Sequence, residues 1–328
     1  MPSRVTANEP SISVIVCAYT LERWDNLVDV VESVLAQTRP ALETIVVIDG
    51  NDELARRAHE AFADAVVLAN AHEQGLSGGR RTGSERARGE VVAFIDDDAV
   101  ADPDWLEQLS GAYRDPNVLG VGGVIEPLWE QPPPRWFPAE FNWVVGCTYA
   151  GMPVQRDRIR NPIGANMSVR ATVLARTGAF DPRLGRVPGR KAVSGAAEET
   201  EFCVRASQLH PGHYWIYEPR ARVRHHVPPQ RATVRYFVRR CVVEGTSKAM
   251  LAHVAGADDG LRTERRYVRS VLPRAVFRDL AAGIRGRPDG LARAAAIVVG
   301  LAITTGAYVC TLAGLRRSAD KSAPRPPR

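Results

Sequence analysis

Short apolar runs alternate with helical periodicities over the first hundred residues. Residues 12–17 (ISVIVC) predict a buried strand, and Trp24, Leu27, Val28, Val31, Val34 and Leu35 then recur at helical spacing until Arg39-Pro40 stops them. The unit repeats as a strand from Thr44 to Ile48, a polar helix near 52–63, a strand from Ala65 to Leu68, a Gly-rich turn with its helix, and a strand from Val91 to Ile95. Parallel strands need crossovers and are buried on both faces, so four such units predict an α/β fold with a doubly wound, mostly parallel, Rossmann-like sheet. Asp102-Pro103 predicts the cap and first residue of a further helix.

Beyond residue 115 the pattern loosens. Pro132, Pro133 and Pro134 mark a loop, and residues 185–195 are rich in Gly, Arg and Lys. Between and after them lie apolar pieces at 143–147 and 163–169, a helix near 198–208, a strand from Ala221 to His226 and a long helix over 230–253. Residues 294–315 then run for 22 positions without a charge, flanked by Arg293 and by Arg316 and Arg317. At roughly 1.5 Å per residue such a helix is long enough to cross a bilayer, to lie in or re-enter its interface, or to be buried within the protein.

Composition is that of an ordinary globular protein, with 45% hydrophobic and 24% charged residues, which excludes collagen-like, disordered and disulfide-scaffold classes. The five cysteines (Cys17, Cys147, Cys203, Cys241, Cys310) have no metal-ligand spacing and fit a reducing compartment. The net charge of +6 changes meaning once it is located. Residues 262–328 carry +10 and the first 261 carry −4, so the basic end accompanies the apolar segment. That pairing suits an anionic membrane surface rather than nucleic acid. The polar, Pro-containing first eleven residues do not read as a signal peptide.

The chemistry-bearing residues gather where strands end. Asp96, Asp97 and Asp98 follow the strand ending at Ile95, at the carboxyl edge where open α/β sheets bind ligands. Three crowded carboxylates repel one another, and Mg²⁺ or Mn²⁺ shared with substrate phosphates would relieve that; a solvated, helix-capping turn is the plainer alternative. Asp49 reaches the same edge within Asp49-Gly50-Asn51-Asp52, a segment that also suits an Asx turn. Gly75, Gly78, Gly79 and Gly83 open a helix bearing Arg80 and Arg81, without P-loop or dinucleotide spacing. Glu198, Glu199 and Glu201 crowd one first helical turn, and spacing does not choose among them. His225 and His226 end a strand and offer imidazole to a metal. Trp129, Trp136, Phe137, Phe141, Trp143 and Tyr149 crowd the Pro-rich stretch, as sugar-stacking faces or as a satellite core.

From SVIVCAYT through IVVIDGND, GLSGGRRTG, ARGEVVAFIDDDAV and GANMSVR to EETEFCVRA, the chain resembles the family 2 inverting glycosyltransferases of GT-A fold over about residues 11–250. The resemblance implies that Asp49 holds the nucleotide base and Arg80 lies near base and diphosphate. It further implies that Asp96 and Asp97 face the ribose, that Asp98 and His225 bind the metal, and that Glu199 is the base. Cys17, Thr20, Arg81 and Glu199 depart from the usual Pro, Asn, Asn and Asp. The stretch Arg239 to Ala249 (RRCVVEGTSKA) is similar to actinobacterial and archaeal-type members acting on lipid-linked or envelope glycans, and it lacks the QxxRW of processive synthases.

The expected layout is a disordered residues 1–10, a nucleotide-sugar-binding half over 11–115 and an acceptor-binding, catalytic half over 116–255. A basic amphipathic lead-in and membrane helix (262–315) and a disordered basic tail (316–328) follow, the last three separable from catalysis. The implied activity moves a single sugar from a nucleoside diphosphate donor to a hydroxyl of a lipid-linked or envelope glycan, at the cytoplasmic face of the membrane and with no nucleic-acid partner. The alternatives are a polyprenyl-phosphate glycosyltransferase, which needs no carboxylate base, and a glycan-binding relative without catalysis.

Overall fold

The computed structural model describes residues 9–178, 180, 181, 197–255 and 262–322. Its first half realises the alternation: β1 (Ile12–Ala18), α1 (Trp24–Leu35), β2 (Glu43–Ile48), α2 (Asp52–Ala61), β3 (Val66–Ala69), α3 (Leu76–Arg86) and β4 (Val91–Asp96). The four strands pair in parallel in the order β3-β2-β1-β4. Helices cover both faces, so successive residues Ile45, Val46 and Val47 are all buried instead of alternating. Asn51 caps α2 by accepting the Leu54 N–H at 3.0 Å.

The second half comprises β5 (Ala99–Ala101), α4 (Trp105–Ser110), β6 (Val118–Trp129), β7 (Asp157–Ile159), β8 (Asn166–Arg170), α5 (Ala171–Thr177), α6 (Glu198–Leu209), β9 (Tyr214–Val227) and α7 (Val234–Ala255). β8 pairs antiparallel with both β4 and β6, and β9 runs parallel to β6. The full order is β3-β2-β1-β4-β8-β6-β9-β5, with β7 on β9. The helix expected from Asp102-Pro103 begins later, at Trp105. Asp102 still belongs to the sheet edge, donating its N–H to Arg222, and its carbonyl accepts the Trp105 N–H in a turn.

The chain ends also differ from expectation. Glu9 pairs with Arg39 and Arg114, and Arg39 donates to the Pro10 carbonyl, so residues 9 and 10 are tied to the domain. The rest of the first ten residues, the Gly-rich stretch 185–195 and residues 323–328 lie outside the described residues. The start of the basic tail is helical, because the last helix runs on to Ser322.

Three C-terminal helical pieces follow: α8 (Arg262–Arg266), a single π-helical turn (Tyr267–Val271) leading into α9 (Leu272–Ile284), and α10 (Pro288–Ser322). Within α10, Pro288–Arg317 is the one described helix long and apolar enough to cross a membrane, and only 11% of its apolar stretch is buried. These pieces are not an appendage. Phe237 of α7 meets Gly300 of α10, Gly245 faces Thr304 and Tyr308, and Thr311 donates to Thr246 at 3.3 Å, so α7 and α10 run side by side in one direction. Trp136, Phe137 and Phe141 pack on Phe237, which makes the aromatic crowd mainly the core under these helices.

The strongest tether is ionic. Arg160 grips Glu264 with both guanidinium nitrogens at 2.7 and 2.9 Å, and Lys248 approaches the same carboxylate at 2.8 Å. Burial alone would raise the Glu264 carboxyl, but Lys248 and Arg160 outweigh it and hold it at about 2. A carboxyl depressed by folding contributes stability that is complete above its unfolded value, near 4.5, and is lost as pH falls towards 2. Acid titration of Glu264→Gln, followed by hydrogen exchange in 262–284, is therefore expected to show a flattened limb between those values. An unchanged limb would mean that the ion pairs do not hold these helices down.

Candidate active site

The carboxyl ends of β1, β2 and β4 face one edge, and the short β5 hairpins back onto β9 immediately after the aspartate triplet. Ala99 pairs with His225, and the Asp98 carbonyl accepts the His226 N–H at 2.7 Å, so the register sets Asp98 beside His225. Side chains alternate along a strand. His225 accordingly points to Asp98, with Nε2 3.0 Å from Oδ1, and His226 turns towards Asp29 at 3.9 Å.

One ligand atom each from Asp96, Asp98 and His225 lie within 4.8 Å of one another. Two hard carboxylate oxygens and an imidazole nitrogen, converging at a sheet edge, fit a divalent cation such as Mn²⁺ or Mg²⁺. Asp97 is drawn elsewhere: Arg23 donates to its Oδ1 at 2.8 Å, and its buried Oδ2 has no hydrogen-bond partner. Burial, reinforced by Asp98 and Asp96, raises its carboxyl against the pull of Arg23. Asp98 moves the opposite way. His225 overcomes the cost of burial, and Arg23 at 3.2 Å and Arg231 at 3.1 Å add to it, holding the carboxyl well below the usual range.

Asp49 is buried and occupied. Its Oδ1 accepts from Asn70 at 2.7 Å and its Oδ2 from the Gly75 N–H at 2.8 Å, which fixes the turn that launches α3. Arg80, on the buried face of α3, reaches the three-glutamate turn of α6, with Nη1 2.9 Å from Glu198 and 3.3 Å from Glu199, and Nη2 3.6 Å from Asp96. It links the donor edge to α6.

The three glutamates separate by environment. Glu198, 3% exposed, is consumed by Arg80 and by the Ser77 hydroxyl, which donates at 2.7 Å. Glu201, 9% exposed, is gripped by both nitrogens of Arg205. Glu199, 20% exposed, opens on a cavity of about 1070 Å³ that also receives Asp96 and His225. Gly164 explains the approach: a Cβ there would stand 2.2 Å from Glu199 Oε1 and 2.5 Å from Arg80 Nη2. The cavity continues past Tyr149 and Arg160 to residues 263–272 and to Leu301, Thr304 and Tyr308 of α10. A chemical edge thus opens on a chamber whose far wall is C-terminal.

Sequence reasoning missed Arg23, Arg231 and Gly164. Arg23 and Arg231 stand in short 3₁₀ turns, Leu21–Arg23 and Pro229–Ala232, that carry no pattern of their own. The only available signal for Arg231 is its position six residues past His225.

Residues 13–178 match the family model "Glycosyl transferase family 2". The chain is 38% identical, over 73% of its length and 77% of the relative's, to the glucosyl-dolichyl phosphate glucuronosyltransferase of Haloferax volcanii. Among solved structures it resembles the mannosyltransferase PcManGT of Pyrobaculum calidifontis in complex with GDP-Man and Mn²⁺, with 20% identity, a TM-score of 0.58, and coverage of 94% of this chain and 87% of that one. It also resembles GalNAc-T7 with UDP, GalNAc and Mn²⁺, at 18% identity and a TM-score of 0.51, covering 73% of this chain and 48% of that one. Both likenesses are of fold: the GT-A arrangement that the family resemblance implies.

Proposed function

We propose that this chain, which belongs to glycosyl transferase family 2 and is a glycosyltransferase, moves one sugar from a nucleoside diphosphate donor to a hydroxyl of a lipid-linked glycan, inverting the anomeric centre. The observation that carries this is the separation of the three glutamates. Glu198 and Glu199 both border the chamber, but Glu198 is held by Arg80 and the Ser77 hydroxyl while Glu199 is the more exposed, and transfer to a hydroxyl needs a proton acceptor on the incoming side. Transfer to a phosphate would need none, so this placement favours the hydroxyl acceptor over the polyprenyl-phosphate alternative.

Asp96, Asp98 and His225 would hold Mn²⁺ or Mg²⁺, which when bound neutralises charge on the departing diphosphate. Asp49, with Asn70 and the Gly75 turn, forms the wall against which the base sits. Asp97, anchored by Arg23, stiffens the ribose side of the edge. Arg80 keeps Glu199 in register with Asp96. The relative from Haloferax is named for a glucosyl-dolichyl phosphate acceptor, which supports a lipid-linked substrate here. The half-exposed apolar helix α10 supports attachment to the membrane, at the cytoplasmic face where sugar nucleotides are available.

Binding to the folded state alone raises apparent stability, by about 2.7 kcal/mol at a hundredfold excess over Kd. UDP, GDP and dTDP sugars are therefore expected to raise Tm by several degrees with Mn²⁺ and by much less with EDTA. If no sugar nucleotide shifts Tm under either condition, the non-catalytic, glycan-binding alternative takes over.

A further inference from the structure

The chamber is larger than the reacting end of a nucleotide sugar requires, and its two ends differ in chemistry. The inner end carries Asp96, Glu198 and Glu199, whereas the outer end, built by α8 and the π-helical turn, presents Arg266 and Arg269 to the same space. Among the described residues, neither arginine has a carboxylate within ion-pair distance, in contrast to Arg160 and Lys248 beside them, which are committed to Glu264. Two cations without a counter-charge at a cavity mouth form an anion site.

The backbone there is also unusual. A π-helical turn weakens a helix and recurs at functional sites, and this one is fastened from two sides. The Tyr267 hydroxyl donates to the Glu140 carbonyl while its ring packs edge-on against Tyr149, and Val271 lies over Gly151. Arg266 precedes the fastened turn and Arg269 lies within it, and both line the chamber.

The same wall is continuous with the apolar helix. Leu301, Thr304 and Tyr308 of α10 line the chamber, and Val298, Val299 and Val309 of that helix face outward, 50–56% exposed. A ligand with its head in the chamber could keep an apolar chain on the outer side of α10 without either part entering the wrong solvent.

We propose that Arg266 and Arg269 hold the phosphate of the lipid-linked acceptor, with the lipid chain leaving the chamber along α10 and the glycan directed inward to Glu199. This rests on the lipid-linked reading above and names where its phosphate sits. No bond changes at this site.

The test compares full-length protein with Arg266→Ala/Arg269→Ala and Arg274→Ala/Arg285→Ala, the second pair being exposed arginines outside the chamber. Co-sedimentation uses phosphatidylcholine vesicles, plain, doped with a polyprenyl phosphate, or doped with phosphatidylglycerol. Wild type is expected to gain binding with polyprenyl phosphate beyond the gain from an equal charge of phosphatidylglycerol. Arg266→Ala/Arg269→Ala should lose that excess by about tenfold or more, and the control pair should keep it. Equal loss in both pairs, an excess surviving in Arg266→Ala/Arg269→Ala, or full competition by millimolar inorganic phosphate would each overturn the proposal. Mn²⁺-dependent sugar-nucleotide binding, measured on the same samples, is expected to be unchanged in both variants. Its absence in wild type would instead indict the glycosyltransferase site, so the two failures are distinguishable.

Discussion

Glu199→Gln is expected to lower kcat by about 10²- to 10⁴-fold while leaving sugar-nucleotide affinity within a few-fold of wild type. The amide keeps the size of the side chain and can still meet Arg80, which lies 3.3 Å from the carboxylate, but it cannot accept a proton. Its neighbours should respond differently because they do different things. Glu201 is neutralised by Arg205 on the side of α6 away from the chamber, so Glu201→Gln should cost stability more than rate. Glu198 anchors Arg80 and Ser77 in a nearly closed pocket, and Glu198→Gln would leave Arg80, 1% exposed, short of one of its two glutamate counter-charges and of its shortest ion pair. That variant is expected to unfold at lower temperature. Single-turnover rates and thermal melts on the three variants separate these outcomes. A Glu201→Gln enzyme slower than Glu199→Gln would reverse the assignment of the base.

The parts of this arrangement that were legible in the sequence are those imposed by buried regularity. A strand covered on both faces must be apolar at every position, and β1, β2 and β4 announce themselves in that way, as does the charged triplet that breaks β4. β6 did not. It reads VLGVGGVIEPLW, and glycine weakens a strand assignment, yet here glycine is what the packing demands: a Cβ on Gly120 would stand 2.4 Å from the Trp215 ring and 2.3 Å from the Ser168 carbonyl. The choice between His225 and His226 depended on register between β5 and β9, which no local pattern encodes. Likewise helical spacing does not choose among the three glutamates, which become distinct through Arg80 and Gly164, far from them in sequence, and through Arg205 one turn further along the same helix. The packing of residues 262–322 on the domain was not legible for a related reason. Hydropathy marked the outer face of α10, while the ion pairs of Glu264 and the packing of Gly245 on Thr304 record an inner face that hydropathy alone does not reveal.

Asp98→Ala is expected to abolish Mn²⁺-dependent donor binding, with a loss above the roughly 10- to 100-fold that follows removal of a group merely supporting a metal ligand. Asp98 is the residue on which the edge converges, since His225, Arg23 and Arg231 all meet its carboxylate. Those three groups meet the carboxylate and offset the repulsion within the aspartate triplet. Calorimetric titration is expected to show Mn²⁺ binding to wild type and none to the Asp98→Ala and His225→Ala variants. Arg231→Ala discriminates further. It removes a competitor for Asp98 and leaves the side chains of Asp96, Asp98 and His225 in place, so Mn²⁺ should bind it at least as tightly as wild type. If Arg231→Ala instead loses the metal to the same extent as Asp98→Ala, the arginine supports the bound state and the picture of cations standing in for the metal is wrong.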